Sequence, residues 1–409
     1  METARRVRPH RGLVTAAVIA AALASFGHAA IARAQAWSTR TPLPAPTGSY
    51  AVGTDVFRVV DSTRATSRSI RTRPLTVQRW YPAQRGTGTE AAPYLAEPLL
   101  LDSMQHNGYL DLKPEEMREW RDVRLAARLG AHAAEQTDAR GWPVVVLAHG
   151  LGVARAHYSA LAQELASHGY VVLTIDHPIG GFTIAPDGRL LRPGVDSLHY
   201  PEHPFASIVR DWAIDDALVV RRAAALGRRG APPAGVVPID TGRVGAIGHS
   251  LGGAAALQAC LSQPLFDACA DMDGAMFGDV ETSGVGKPIL VLLSEPDRRG
   301  RPPARDSAEV ARRANFARIG RERDSAWTSI CALQRGAPCF VTKLIGTGHF
   351  SFSDAPFQIP SQLRDVGATL TPAAMHGAIS ERMLDFLDHF LRGAPLRVLQ
   401  PGMSSVRAR

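Results

Sequence analysis

Residues Gly248-His249-Ser250-Leu251-Gly252 spell G-x-S-x-G between an apolar run, Arg243-Val244-Gly245-Ala246-Ile247, and a small-residue stretch, Gly253-Ala254-Ala255-Ala256-Leu257. In a chain with 37 glycines the bare pattern also fits an ordinary turn, but strand, sharp turn and helix in that order is the context of a nucleophile elbow. An elbow forces its serine into a strained backbone conformation, so glycine, which lacks a Cβ, is needed on both sides. The Ser250 hydroxyl is then lifted out of the sheet. A serine hydroxyl is a poor nucleophile near neutral pH. It needs a base, an acid that orients the base, and donors for the developing oxyanion.

The continuous apolar run Pro143-Val144-Val145-Val146-Leu147-Ala148 has strand length and ends in His149-Gly150-Leu151-Gly152. A His-Gly turn after the third strand of an elbow fold presents one backbone N–H to the oxyanion, and the residue after the nucleophile presents the other. The expected donors are Leu151 and Leu251, each worth roughly 3 to 4 kcal/mol to the transition state. His149 precedes the turn glycine and is expected to point into the fold. Among fourteen histidines, His10 and His28 lie in a leader, His168 at a helix end, and His376 and His389 on a C-terminal helix. His349 differs. It follows the β-rich run Cys339 to Ile345 and Gly346-Thr347-Gly348, on a loop past the last strand, where the order serine, acid, histidine puts the base. Two carboxylates compete for the acid: Asp273, after the sixth strand if Ser250 follows the fifth, and Asp297, after the seventh, the commoner location.

These residues need a scaffold. Alternating apolar positions in Val56 to Val60 and Leu75 to Trp80 predict an antiparallel start. Strand and helix then alternate: a helix from about His157 to Ser167, a strand over Val171 to Ile175, and a helix from about Ser207 to Leu226. The rhythm implies a mainly parallel central sheet with helices on both faces, and the elbow between strand and helix makes the expected architecture the α/β-hydrolase fold. Residues 48–396 form the expected catalytic domain, preceded by a proline-rich linker over 37–47 and followed by a tail over 397–409. The insertion 96–129 is either a lid or a satellite helix, and Pro186-Asp187-Gly188-Arg189 is a hairpin tip.

Residues 1–36 read as a secretory signal, with Arg5, Arg6, Arg8 and Arg11 before the apolar stretch Leu13 to Phe26, and with small residues at Ala32, Ala34 and Ala36. The formal charge of +8 falls to +4 without them, from 41 basic against 37 acidic residues. The basic residues are scattered, which argues against a nucleic-acid surface. Four cysteines form two short-spaced pairs, Cys260 with Cys269 and Cys331 with Cys339. The even count in an exported chain suggests disulfides, and local pairing is favoured among three connectivities. No C-x-x-C or clustered histidine spacing points to a metal, and no cofactor is expected.

The motifs together resemble the secreted platelet-activating factor acetylhydrolases and their bacterial relatives. The resemblance rests on Thr47 to Gly53, Arg79-Trp80-Tyr81-Pro82, His149 to Gly152 with Tyr158-Ser159-Ala160-Leu161, Leu165 to Tyr170, Asp176-His177, and Gly248 to Gly253. It extends to Met272-Asp273-Gly274-Ala275-Met276-Phe277 and to His349-Phe350-Ser351-Phe352-Ser353-Asp354. The acid of that family follows the sixth strand, so the resemblance assigns Asp273. It implies a small-molecule or lipid ester as substrate, with acetyl groups on phospholipids in view, and transient contact with a lipid surface. Leu251 and Ala275 stand where known family members carry phenylalanine and tryptophan, which removes aromatic area near the acyl pocket. An exported cutinase-like or polyester-degrading carboxylesterase has a similar elbow and paired cysteines. A catalytically silent hydrolase fold used for binding belongs to another class, but such proteins usually lose a triad member.

Overall fold

In the computed structural model the described residues are 42–67, 70–97, 120–136, 138–185, 187–192, 194, 204–226, 236–297, 306–358 and 368–407. The leader over 1–36, the first part of the linker (37–41) and the centre of the insertion (98–119) lie outside them. The strands are β1 Ala51–Asp61, β2 Arg73–Ala83, β3 Ala91–Pro93, β4 Arg124–Leu129, β5 Trp142–Ala148, β6 Val171–Asp176, β7 Thr183–Ile184, β8 Leu190–Leu191, β9 Ile239–His249, β10 Ala268–Met272, β11 Ile289–Glu295, β12 Cys339–Ile345 and β13 Gly402–Arg407. The longer helices are α1 Ser159–Ser167, α2 Pro204–Leu226, α3 Leu251–Ser262, α4 Ser307–Ala332 and α5 Pro372–Arg392.

Eleven of these strands make one sheet in the order β13-β12-β11-β10-β9-β5-β6-β2-β1-β4-β3. From β13 to β6 every neighbouring pair is parallel. β2 then runs antiparallel to both β6 and β1, the antiparallel start that its alternation implied. Because β3, β4 and the β7–β8 hairpin are additions, the strand expected as fifth is β9 and the one expected as sixth is β10. Strands apolar at every position must be covered on both faces, and β5 demonstrates the rule. Val145 and Leu147 pack in one core with Leu165 of α1 and Phe386 of α5. Val144 and Val146 pack in the other with Ala213 and Ala217 of α2 and Leu257 of α3.

The sheet and the whole candidate site lie in one unit, residues 38–301 and 326–409; residues 302–325, which include the first part of α4, fall in a second. One expectation needs correction. The tail over 397–409 supplies β13, which pairs in parallel with β12 over Phe340↔Gly402 to Ile345↔Arg407. Edge pairing rests on backbone groups, and Met403 stays 43% exposed, so no apolar pattern announced the strand. The insertion over 96–129 ends in β4, which pairs in parallel with β1 and antiparallel with β3, while its centre, where a lid or satellite helix was expected, lies outside the described residues. Among the described residues no helix is long and apolar enough to cross a membrane.

Candidate active site

Ser250 stands between β9 and α3 at φ 57° and ψ −121°, a backbone conformation that a side-chain-bearing residue adopts only when its surroundings impose it. The glycines around it explain the imposition. A Cβ on Gly248 would lie 2.2 Å from the Gly252 carbonyl oxygen, and one on Gly252 would lie 2.5 Å from the carbonyl oxygens of Ala148 and His149. The Ser250 N–H donates to the Met272 carbonyl (3.0 Å), which joins the elbow to β10, the strand that leads into Asp273.

His349 begins a short 3₁₀ turn, His349–Phe352, after β12. The Ser250 hydroxyl faces its Nε2 at 3.1 Å, and its Nδ1–H donates to Asp273 Oδ2 at 2.8 Å. The three residues expected from sequence therefore converge at one point. Asp297, the rival acid, sits half-buried two residues beyond β11, while the Nδ1 of His349 faces Asp273.

Asp273 has φ 53°, a left-handed conformation that aspartate tolerates better than most residues. Its N–H donates to the Leu292 carbonyl (2.7 Å). Its carboxylate accepts the Ser294 N–H on Oδ1 (2.7 Å) and the Ser294 hydroxyl on Oδ2 (2.8 Å). Sequence reasoning missed Ser294, because its approach to Asp273 comes from the β10–β11 register, which pairs Met272 with Leu292. Asp271 shapes the turn from below. It accepts the Gly274 N–H, and its carboxylate fills space that a Cβ on Gly253 or Gly274 would occupy.

The His149-Gly150 turn lies over the elbow, so that a Cβ on Gly150 would be 3.3 Å from the Ser250 Cβ. His149 is buried and points into the fold as expected; burial holds its pKa well below the usual histidine range, and its Nδ1–H donates to the Gly150 carbonyl (2.7 Å). That bond fixes the plane of the peptide linking residues 150 and 151. In a trans peptide the N–H points opposite the C=O, so the Leu151 N–H is turned away from the His149 ring. Leu251 is the first residue of α3, where a backbone N–H lacks an intrahelical acceptor. Among the described residues neither N–H donates to another group of the chain. Beside them Leu151, Phe205 and Phe277 are half-buried against Leu251 and Trp212. No group of side chains suited to a metal occurs among the described residues.

The disulfides join Cys260 to Cys269 and Cys331 to Cys339. The first ties α3, which follows the elbow, to β10, which leads into Asp273, and the second ties the end of α4 to β12, which precedes His349.

The sheet order and the elbow at its centre define an α/β-hydrolase. Comparison with known proteins narrows the class. Residues 35–179 match the family described as platelet-activating factor acetylhydrolase, isoform II, and residues 129–318 match the dienelactone hydrolase family. The chain is 27% identical over 256 residues to a probable 1-alkyl-2-acetylglycerophosphocholine esterase of Arthroderma benhamiae, covering 60% of this chain and 62% of that protein. It is 27% identical over 183 residues to the platelet-activating factor acetylhydrolase of Canis lupus familiaris, covering 38% and 40%. The matches thus span less than two thirds of these relatives. A solved ferulic acid esterase from Streptomyces cinnamoneus superposes with a TM-score of 0.64 at 26% identity, covering 89% of this chain and 97% of that one. The chain has the α/β-hydrolase fold and, over part of its length, is similar to platelet-activating factor acetylhydrolases.

Proposed function

We propose that this protein is an exported serine ester hydrolase that cleaves short-chain acyl esters, acetylated phospholipids among them, through an acyl-enzyme. The observation that carries the reading is His349 bridging Ser250 and Asp273 at 3.1 and 2.8 Å. His349 takes the Ser250 proton as Oγ attacks the ester carbonyl, and the oxyanion is received by the N–H groups of Leu151 and Leu251. His349 then passes the proton to the departing alkoxide. Water, deprotonated by the same imidazole, releases the acid. Asp273 keeps Nδ1 protonated and stabilises the imidazolium.

Relatives named for acetylated glycerophosphocholine and platelet-activating factor support an acetyl ester as substrate. Phe205 and Phe277, with ring centroids 5.2 Å apart beside Leu151 and Leu251, favour a second reading, an esterase for bulkier or aromatic acyl groups. Export is supported by the signal-like residues 1–36 and by two disulfides, which persist in oxidising compartments. A nitrophenyl ester series from acetyl to long-chain acyl, with methyl ferulate added, decides between the two substrate readings. Fluorophosphonate labelling of purified protein tests the nucleophile. A protein that neither labels nor turns over any ester would overturn the enzyme reading.

A further inference from the structure

Three loops must keep register for the proposed chemistry: the turn over residues 149–152, the elbow, and the turn that begins at His349. A single buried chain of hydrogen bonds runs through all three. The Gly150 N–H donates to the Tyr158 hydroxyl oxygen (2.9 Å), and the Tyr158 hydroxyl faces His249 Nδ1 (2.8 Å). His249 Nε2 faces the backbone carbonyl of His349 (2.9 Å). A carbonyl only accepts, so Nε2 carries the proton and Nδ1 is an acceptor. The Tyr158 proton therefore points at His249, and its oxygen is free to accept from Gly150. Every donor and acceptor in the chain is matched in one tautomer. His249 also packs ring to ring with His349 at 4.6 Å and stacks on Phe352 at 6.2 Å.

We propose that Tyr158 and His249 are positioning residues that couple the oxyanion turn to the catalytic base, setting the Gly150-Leu151 backbone and the His349 backbone in one register around Ser250. The inference rests on the serine esterase reading. Neither side chain has to touch the substrate. Tyr158 holds the residue before one oxyanion donor, and His249 holds the backbone from which the base projects. Burial pushes the His249 pKa down to about 3, with His349 close by adding to the shift, so it stays a neutral connector beside the base.

The experiment compares Tyr158→Phe, His249→Gln, His249→Leu and the double variant Tyr158→Phe/His249→Leu by kcat and KM on nitrophenyl acetate and by affinity for a trifluoromethyl ketone, which forms a tetrahedral adduct with the serine. Tyr158→Phe keeps the ring and removes the bridge, and kcat should fall by about tenfold or more while KM moves less than about twofold, with ketone affinity falling in parallel. His249→Gln keeps an N–H where Nε2 was, so it should retain more kcat than His249→Leu. The double variant should lose little beyond the worse single one, because the residues act as one chain. Wild-type kcat and ketone affinity in Tyr158→Phe, losses that multiply in the double variant, or equal kcat in the glutamine and leucine variants would each overturn the coupling. If Tyr158→Phe does not fold, the glutamine and leucine comparison decides. A wild-type protein without fluorophosphonate labelling or ester turnover would instead sink the underlying esterase reading.

Discussion

Replacing Asp273 with asparagine separates the two acids that compete in the sequence, and the structure dictates how it should fail. Oδ1 accepts from a backbone N–H, that of Ser294, which cannot turn away, so the single oxygen of an asparagine must take that place. The amide nitrogen then sits where Oδ2 was, facing Nδ1 of His349 and the Ser294 hydroxyl, which rotates to accept from it. Two donors cannot face each other, so Nδ1 becomes the acceptor and the proton moves to Nε2, toward Ser250. The imidazole can no longer take the serine proton. A triad held in the wrong tautomer loses about 10⁴ in kcat, or about 5 kcal/mol of transition-state stabilisation. Side-chain volume and backbone bonds are unchanged, so thermal melting should move little. The assay is kcat on nitrophenyl acetate for Asp273→Asn and Asp297→Asn together. If Asp297→Asn is the crippled variant and Asp273→Asn stays within about tenfold of wild type, the assignment is wrong.

Ser250→Ala should abolish turnover beyond residual oxyanion-hole catalysis, because the hydroxyl supplies the nucleophile and little packing; a large drop in melting temperature would mark Ser250 as a structural turn residue. Cysteine pairing should be local in purified protein. Opening either loop, with sequence separations of 9 and 8, should destabilise by about 2.5 kcal/mol in chain entropy; non-reducing peptide mapping that finds free thiols or crossed pairs contradicts this. His157 is buried, and burial pushes its pKa down to about 4 against an unfolded value near 6.5. Between these values the unfolded chain holds the proton and the folded one does not, so its share of stability is present above about pH 6.5 and is lost as pH falls toward 4. Replacing it with glutamine removes that loss, so the variant should gain about 2 kcal/mol on wild type between pH 8 and pH 5 by urea unfolding. No change in the difference between the two proteins would mean that His157 is protonated in the fold.

The elbow and the parallel sheet were legible because each is a local demand. Glycines at 248 and 252 answer close backbone approaches, and apolar residues throughout β5 answer two covered faces. What stayed hidden depends on residues brought together by register or packing. Ser294 reaches Asp273 across two strands, and Tyr158 meets His249 from 91 positions away. Asp354 was quoted only as the end of a motif. In the structure it accepts the N–H groups of Ser159 and Ala160 at the start of α1, so the loop that carries His349 is tied to the helix that follows the oxyanion turn. Burial raises its pKa to about 7 against those bonds, which favour the charge.

The choice between Asp273 and Asp297 shows where spacing stops and backbone geometry takes over. Both follow an apolar strand, and both precede His349 in the chain. Only at Asp273 does the backbone turn into φ 53° immediately after the strand, with its N–H taken by the Leu292 carbonyl. That turn exists because Asp271 holds the Gly274 N–H, and because glycine at 253 and 274 leaves room for the Asp271 carboxylate, which would lie 2.3 Å from a Cβ on Gly274. Asp271-Met272-Asp273-Gly274 therefore works as a unit, with one aspartate shaping the loop and the other presented by it. The sequence around Asp297 reads Glu295-Pro296-Asp297-Arg298, without the Asp-x-Asp-Gly run. In the sequence only the family resemblance favoured Asp273, and the doubled aspartate followed by glycine takes its meaning from backbone conformation instead of the strand count.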